Sequence, residues 1–194
     1  RTERTHTSQQ AIQAFEAIEA SGAAEVVKVT LAGRLRSIRP MGKITFAHIE
    51  DVAGRVQLFL RANDVGAENL DLFNHEYDLG DFVQASGEMF RTRTGEASLR
   101  VENFRLLAKS VTPLPAAKDQ VVDGELVQHA TLSEPEVRYR QRYADLAVNA
   151  DVRQIFRARA ATISALRDFL DEHEFLEVET PVLQPIYGGA AAQP

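Results

Sequence analysis

Apolar and polar positions alternate in short blocks through the first half of the chain. Within VTLAGRLRSIRPMGKITFAHIEDVAGRVQLFL (29–60), Val29 and Leu31 alternate with polar neighbours, as do Ile44 and Phe46, and then Val56, Leu58 and Leu60. A period of two marks strands with one packed face. Pro40-Met41-Gly42 and Asp51-Val52-Ala53-Gly54 supply the reversals between them. The period then lengthens. Leu70, Phe73 and Tyr77 fall at helical spacing and predict a helix around Glu68–Glu76. Two more strands are predicted at Asp81–Arg91 and Ala97–Leu107, joined by a turn at Thr92-Arg93-Thr94-Gly95.

Strand, strand, strand, helix, strand, strand is the order of an oligonucleotide/oligosaccharide-binding (OB) barrel, although other small barrels have similar strand counts. Residues 8–21 predict a short helix with Ile12, Phe15 and Ile18 near one face, ended by Gly22 and packed as a cap on the barrel. After the barrel, Pro113 and Pro115 stop the last strand, and VVDGELVQHATLSEP shows no sustained periodicity. Val152, Ile155, Phe156, Ile163, Leu166 and Leu170 then recur at three and four residues, so a long amphipathic helix is predicted from an N-cap at Asn149 to about Glu174. A strand at Phe175–Val178 follows, stopped by Thr180-Pro181. The expected organisation is a helical segment (1–24), a five-stranded barrel with its helix (25–111), a linker or hinge (112–136) and the first helix–strand unit of an α+β domain (137–194).

Composition narrows this little. The 194 residues are 44% hydrophobic and 26% charged, ordinary for a globular protein, and enough for one large or two modest domains. The absence of cysteine excludes disulfides, thiolate metal sites and a Cys nucleophile. No apolar run reaches membrane-spanning length and no signal peptide opens the chain, so no membrane is expected and the cytoplasm is the default. The chain opens at Arg1 without methionine and stops at Pro194 after a Gly-Gly turn, and both ends read as cut from a longer protein.

A net charge of −6 means that any nucleic-acid binding must come from a local patch. Such a patch is present: Arg34, Arg36, Arg39 and Lys43 lie in one run without an acid, beside Phe46 and Gln57. On a β-surface an aromatic stacks a base, an amide reads its edge and cations hold phosphates. The plainer reading makes Phe46 a core residue and Arg34 and Arg36 a solvated face. In EVRYRQRYADLAVN, Arg138, Arg140 and Arg142 alternate with Tyr139 and Tyr143, which fits a snorkelling surface, a tRNA-facing surface or an interdomain hinge. The five histidines (His6, His48, His75, His129, His173) have no metal-ligand spacing, and no HExxH, P-loop or GxGxxG occurs.

Several motifs in one order resemble the N-terminal part of bacterial-type class II lysyl-tRNA synthetases. AGRLRSIRPMGKITFAHIEDVAGRVQL resembles that family's anticodon-binding barrel. RYRQRYADL (138–146) is similar to its hinge signature, with Ala144 in place of the usual leucine. FLEVETPVLQPIYGGAAAQP resembles class II motif 1 and the turn beyond it, with Pro181 at the motif's proline and Gln193 where an arginine is usual. The MGK, the RYRQRY and the GGA favour lysine over the related aspartyl and asparaginyl enzymes, which remain an alternative. A stand-alone, non-catalytic RNA-binding OB module is another.

The resemblance implies that Phe46 stacks the central anticodon uridine, that Gln57 hydrogen-bonds it, and that Arg39 contacts the base or the adjacent backbone. In the family a glutamate near the end of the fifth strand accepts from the uracil N–H; here Asn103 stands at that place with Glu102 beside it. Gly188-Gly189-Ala190 is the one stretch that could approach a substrate, a plain turn being the alternative, and motif 1 with Pro181 is implied to form a homodimer interface. The full-length parent is implied to be a lysine–tRNA ligase that uses ATP, lysine, Mg2+ and the lysine tRNA. Its motifs 2 and 3 are absent from these residues. The chain alone is therefore expected to carry no catalytic residue, to hold neither ATP nor metal, and to be inactive.

Overall fold

The computed structural model describes residues 2–112, 114, 118–122, 125–129 and 132–182. Its backbone falls into two compact units, 1–116 and 117–194.

The long first strand closes the barrel of the first unit. Along β1 (Lys28–Met41) one face is buried and the other partly exposed, as the alternation requires. The early part of β1 pairs antiparallel with β4 (Phe82–Arg91), Lys28 opposite Glu88 and Arg34 opposite Phe82. The later part pairs with β2 (Ile44–Glu50), Arg39 opposite Phe46. β2 pairs with β3 (Arg55–Arg61), β3 runs parallel to β5 (Ala97–Ala108), and β5 returns to β4, so the order β1-β2-β3-β5-β4 is a closed ring. The closing β3–β5 contact is short, Gln57–Phe59 against Ser98–Arg100. Two glycines let backbones cross where the barrel bends: a Cβ on Gly33 would stand 2.8 Å from the Glu50 carbonyl oxygen, and one on Gly87 1.9 Å from that of Arg100.

Inward-facing Leu31, Leu35, Ile49, Leu58, Val83 and Leu99 fill the interior, each at most 2% exposed. Between β3 and β4 the chain makes α2 (Ala62–Val65) and α3 (Ala67–Glu76). Phe73 of α3 is fully buried, stacked on Tyr77 at 4.8 Å and edge-on to Phe104 at 5.2 Å. α1 (Ser8–Ser21) begins in a capping box between Thr7 and Gln10 and ends at Gly22 in the left-handed region. It packs Ala11, Ile12 and Phe15 against the core. A polar latch adds to the packing: the Asp51 carboxylate accepts from the Ser8 N–H at 2.8 Å and the Ser8 hydroxyl at 2.7 Å.

The second unit departs from expectation in three places. Residues 118–122 and 125–129 form an antiparallel hairpin, β6 (Lys118–Val122) and β7 (Glu125–His129), within the stretch expected to be a linker or hinge without sustained periodicity. The sequence signal was Asp123-Gly124, a dipeptide strongly favoured in tight hairpins. Phe175–Val178 forms no strand; no ladder partner exists for it among the described residues, and an extended segment becomes a strand only by pairing. Asn149 precedes the long helix but makes no side-chain cap; its amide nitrogen donates to Asp145 at 2.6 Å and to the Leu132 carbonyl.

That long helix, α6, spans Ala150–Glu172. Before it, the RYRQRY run folds into α4 (Pro135–Arg140) and α5 (Arg142–Val148). Asp145 is fully buried and binds Arg138 at 3.0 Å and Arg142 as well. Burial works to raise its pKa most strongly, yet the Asn149 and Arg138 hydrogen bonds and the charges of Arg138 and Arg142 outweigh it and lower the carboxyl overall. Two of the three arginines thus clamp this corner, while Arg140 pairs with Glu136. Tyr139 and Tyr143 are exposed. No described helix is long and apolar enough to cross a membrane.

Candidate nucleic-acid interface

The register of the barrel sets outward-facing side chains into rows across four strands. One row runs Arg39 (β1), Phe46 (β2), Phe59 (β3), Arg100 (β5). The next runs Ser37, His48, Gln57, Ser98 on the same strands, with Phe90 of β4 opposite Ser98. On β2 the inward residues Thr45, Ala47 and Ile49 are buried, whereas Phe46 and His48 are only half-buried. Phe46 therefore belongs to the outer surface and not to the core.

The aromatic rings form a continuous strip. Phe46 and Phe59 lie 5.2 Å apart and Phe59 and Phe90 5.4 Å apart, all tilted. The Arg39 guanidinium stands 5.9 Å from the Phe46 ring centre. Such a strip offers faces on which flat bases can stack. At its far end Asp64 of α2 binds both Arg100 (2.7 Å) and Arg61 (2.8 Å), and hydrogen bonds from these two, Arg100 first, hold its carboxyl far below the usual range.

Beside the strip lies a polar chain. Gln57 faces outward on β3 yet is 4% exposed. Its amide oxygen accepts from the Ser98 hydroxyl at 3.0 Å, and its amide nitrogen donates to Glu96 Oε2 at 2.7 Å. The carboxylate can only accept, so the orientation of the amide is fixed. Glu96 Oε1 lies 3.1 Å from His48 Nε2, and His48 Nδ1 lies 2.8 Å from Ser37 Oγ. An amide N–H donor and a carboxylate acceptor thus sit side by side next to an aromatic strip. That pairing is what the edge of uracil, with carbonyl acceptors flanking one N–H, requires.

The structure brings Arg39, Phe46 and Gln57 together. It does not bring Asn103 or Glu102 to them. Asn103 pairs with Ser86 on β4 and lines a cavity of about 270 Å3 with Asn69, Leu72 and Tyr77, while Glu102 lies 3.8 Å from the Lys28 ammonium. The reason is direction: β3 and β5 run parallel and pair only at Gln57–Phe59 with Ser98–Arg100, so the start of β5 meets Gln57, and its end does not. Glu96, which sequence reasoning passed over, holds that place. The parallel β3–β5 pairing inherent in the OB strand order was the signal that could have found it.

The cation run also divides. Arg34 bonds the Gly80 carbonyl and stacks over Phe82 at 4.2 Å, and Arg36 pairs with Glu50 at 3.0 Å. Arg39 and Lys43 remain exposed at the rim of the rows. In the second unit, Pro181 is exposed after α6, and α6 itself exposes Ile155, Ile163, Leu166 and Phe169. Gly188, Gly189 and Ala190 lie outside the described residues.

Comparison with known proteins agrees with this geometry. Residues 29–107 match the family model described as OB-fold nucleic acid binding domain, and residues 134–194 match that of tRNA synthetases class II (D, K and N). Along all 194 residues the chain is 46% identical to the lysine–tRNA ligases of Clostridium novyi (strain NT) and Clostridium tetani (strain Massachusetts / E88). It is 44% identical to that of Clostridium kluyveri. It spans about a third of their length, 34% for the first and 35% for the other two. Along the chain, a match to an OB-fold nucleic acid binding domain is thus followed by a match to tRNA synthetases class II (D, K and N).

Proposed function

We propose that the chain is the anticodon-reading and motif 1 portion of a lysine–tRNA ligase, and that its outer rows bind the central uridine of the anticodon. Phe46 supplies the stacking face. Gln57 donates its remaining amide N–H to a uracil carbonyl, and Glu96, in place of Asn103 or Glu102, accepts the uracil N3–H. Arg39 and Lys43 hold the adjoining phosphates. Cytosine has no hydrogen at N3 and would set a lone pair against the carboxylate, so it is rejected. The three amino acids of the matched group all have codons with a central adenine, so a central-uridine reader suits each of them. Identity over the whole chain with lysine–tRNA ligases favours lysine.

The adjacency of Gln57 and Glu96 at 2.7 Å beside the aromatic strip carries this reading. Glu96→Gln tests it. Loss of the charged acceptor should reduce the preference for uridine over cytidine by roughly tenfold, since hydrogen bonds to charged groups are the stronger class. An unchanged preference would assign the acceptor elsewhere.

The apolar face of α6, with the motif 1 segment to Pro181, fits a homodimer interface of the parent. ATP and Mg2+ belong to the parent's reaction. Among the described residues no set of His, Asp and Glu side chains fits a metal ion, and no catalytic step is assigned to this chain. The parent would act in the cytoplasm with other translation enzymes.

A further inference from the structure

We propose that His48 is a positioning residue for base reading, holding Glu96 in register with Gln57; this rests on the reading of Gln57 and Glu96 as the uracil-edge pair. Glu96 sits just before β5 begins at Ala97, after the Thr92–Gly95 turn, with its side chain 46% exposed. A half-exposed glutamate has several rotamers open to it, and one that must meet a base in a fixed position gains from being ordered beforehand. Two side chains bind its carboxylate: Gln57 at Oε2 and His48 at Oε1. Gln57 is itself a reader. His48 is the group that orders the carboxylate without meeting the base.

The ring is in turn fixed. His48 stands directly opposite Gln57 on one side and Ser37 on the other in the strand ladders, so the sheet places it and packing need not. Because a carboxylate only accepts, Nε2 carries the hydrogen that points to Glu96. In the neutral ring Nδ1 then accepts from the Ser37 hydroxyl, and in the charged ring it donates to Ser37 Oγ. Either form keeps the same donor on Glu96. The relay Ser37–His48–Glu96–Gln57–Ser98 thus spans four strands and converts barrel register into the orientation of an amide and a carboxylate.

The test compares the 194-residue chain with His48→Leu and His48→Gln, measuring affinity for a UUU anticodon stem–loop and for its UCU counterpart. Leucine keeps bulk and removes the donor; glutamine returns an N–H near the position of imidazole Nε2. His48→Leu should lower the U-over-C ratio about fivefold, the worth of one ordinary hydrogen bond. His48→Gln should restore it to within about twofold, with thermal midpoints unchanged in both. If His48→Leu fails to fold, His48→Asn, polar yet too short to reach Glu96, takes its place with the same expectation. An unchanged ratio in the donor-lacking variant overturns the proposal, and so does an equal loss in His48→Gln, which would make the ring simple packing. A wild-type chain that binds both loops equally defeats the uridine reading first, and the role of His48 with it.

Discussion

Phe46 is flanked by Arg39 on one side and Phe59 on the other, and its ring is half-buried on the outside of the barrel. Replacing it with alanine removes a stacking platform without opening the core. Phe46→Ala should therefore weaken RNA binding by about 1–3 kcal/mol, while thermal unfolding shows a barrel that still folds cooperatively. A variant that unfolds would instead mark Phe46 as core. Arg39, Phe46 and Gln57 were assigned to the anticodon only through the family resemblance, because the alternation grouped Phe46 with Ile44 on a packed face whereas the ladder buries Thr45, Ala47 and Ile49 instead. Glu96 was not legible, because its neighbour Gln57 lies 39 residues away through a parallel pairing. The partners of Arg34 and Arg36 were hidden too, since antiparallel pairing brings them in from other strands and turns. The cation run has no acid within it, yet the β1–β2 ladder brings Glu50 across to Arg36.

At the scale of elements, α1 is held to the barrel by carboxylates as well as by its apolar face: its own Glu19 binds Arg91 of β4, and Asp51 of the barrel binds Ser8. Asp51 accepts from the Ser8 N–H and hydroxyl and from the backbone N–H groups of Ala53 and Gly54. Burial pushes its pKa upward most strongly, but these four hydrogen bonds together outweigh it and leave the carboxyl below its ordinary value. A depressed folded pKa means that the contribution is complete above the unfolded value near 3.9 and is lost as pH falls through the lower folded one. Asp51→Asn should thus cost roughly 1–3 kcal/mol at neutral pH and flatten the acid limb of the stability curve. Hydrogen exchange should show the loss concentrated in residues 8–21. Equal exchange there in both proteins would show that the Asp51 latch does not hold the helix. The five strands and α3 were visible as changes of period. The β6–β7 hairpin was obscured by a flanking proline-rich stretch, and the strand read at Phe175–Val178 failed because β-pattern without a partner does not make a ladder.

Across the whole molecule, the first unit is a closed barrel, whereas in the second residues 134–194 match the family model of tRNA synthetases class II (D, K and N). On the proposed function, the parent's catalysis rests on positioning and on cations that stabilise a charged transition state, and this chain is read as carrying none of those groups. The chain alone should give no lysine-dependent ATP–pyrophosphate exchange above background. Exchange at a measurable rate would mean that the catalytic groups are already present. Fold class was legible at this scale because order and period are local properties repeated along the chain. The division of the protein near residue 116 was harder to place, since the prolines that mark it adjoin a hairpin belonging to the second unit.

The central claim is that the barrel reads a base and does more than hold RNA by charge. The direct measurement is the affinity of this chain for a lysine-type anticodon stem–loop, with a central uridine against a central cytidine, over a range of salt. The account predicts a uridine preference of about 1–3 kcal/mol that persists as salt weakens both complexes together, because phosphate contacts carry the salt dependence and the base contact does not. Equal binding of the two loops at every salt concentration would contradict it, and would leave Phe46, Gln57 and Glu96 without a base to read.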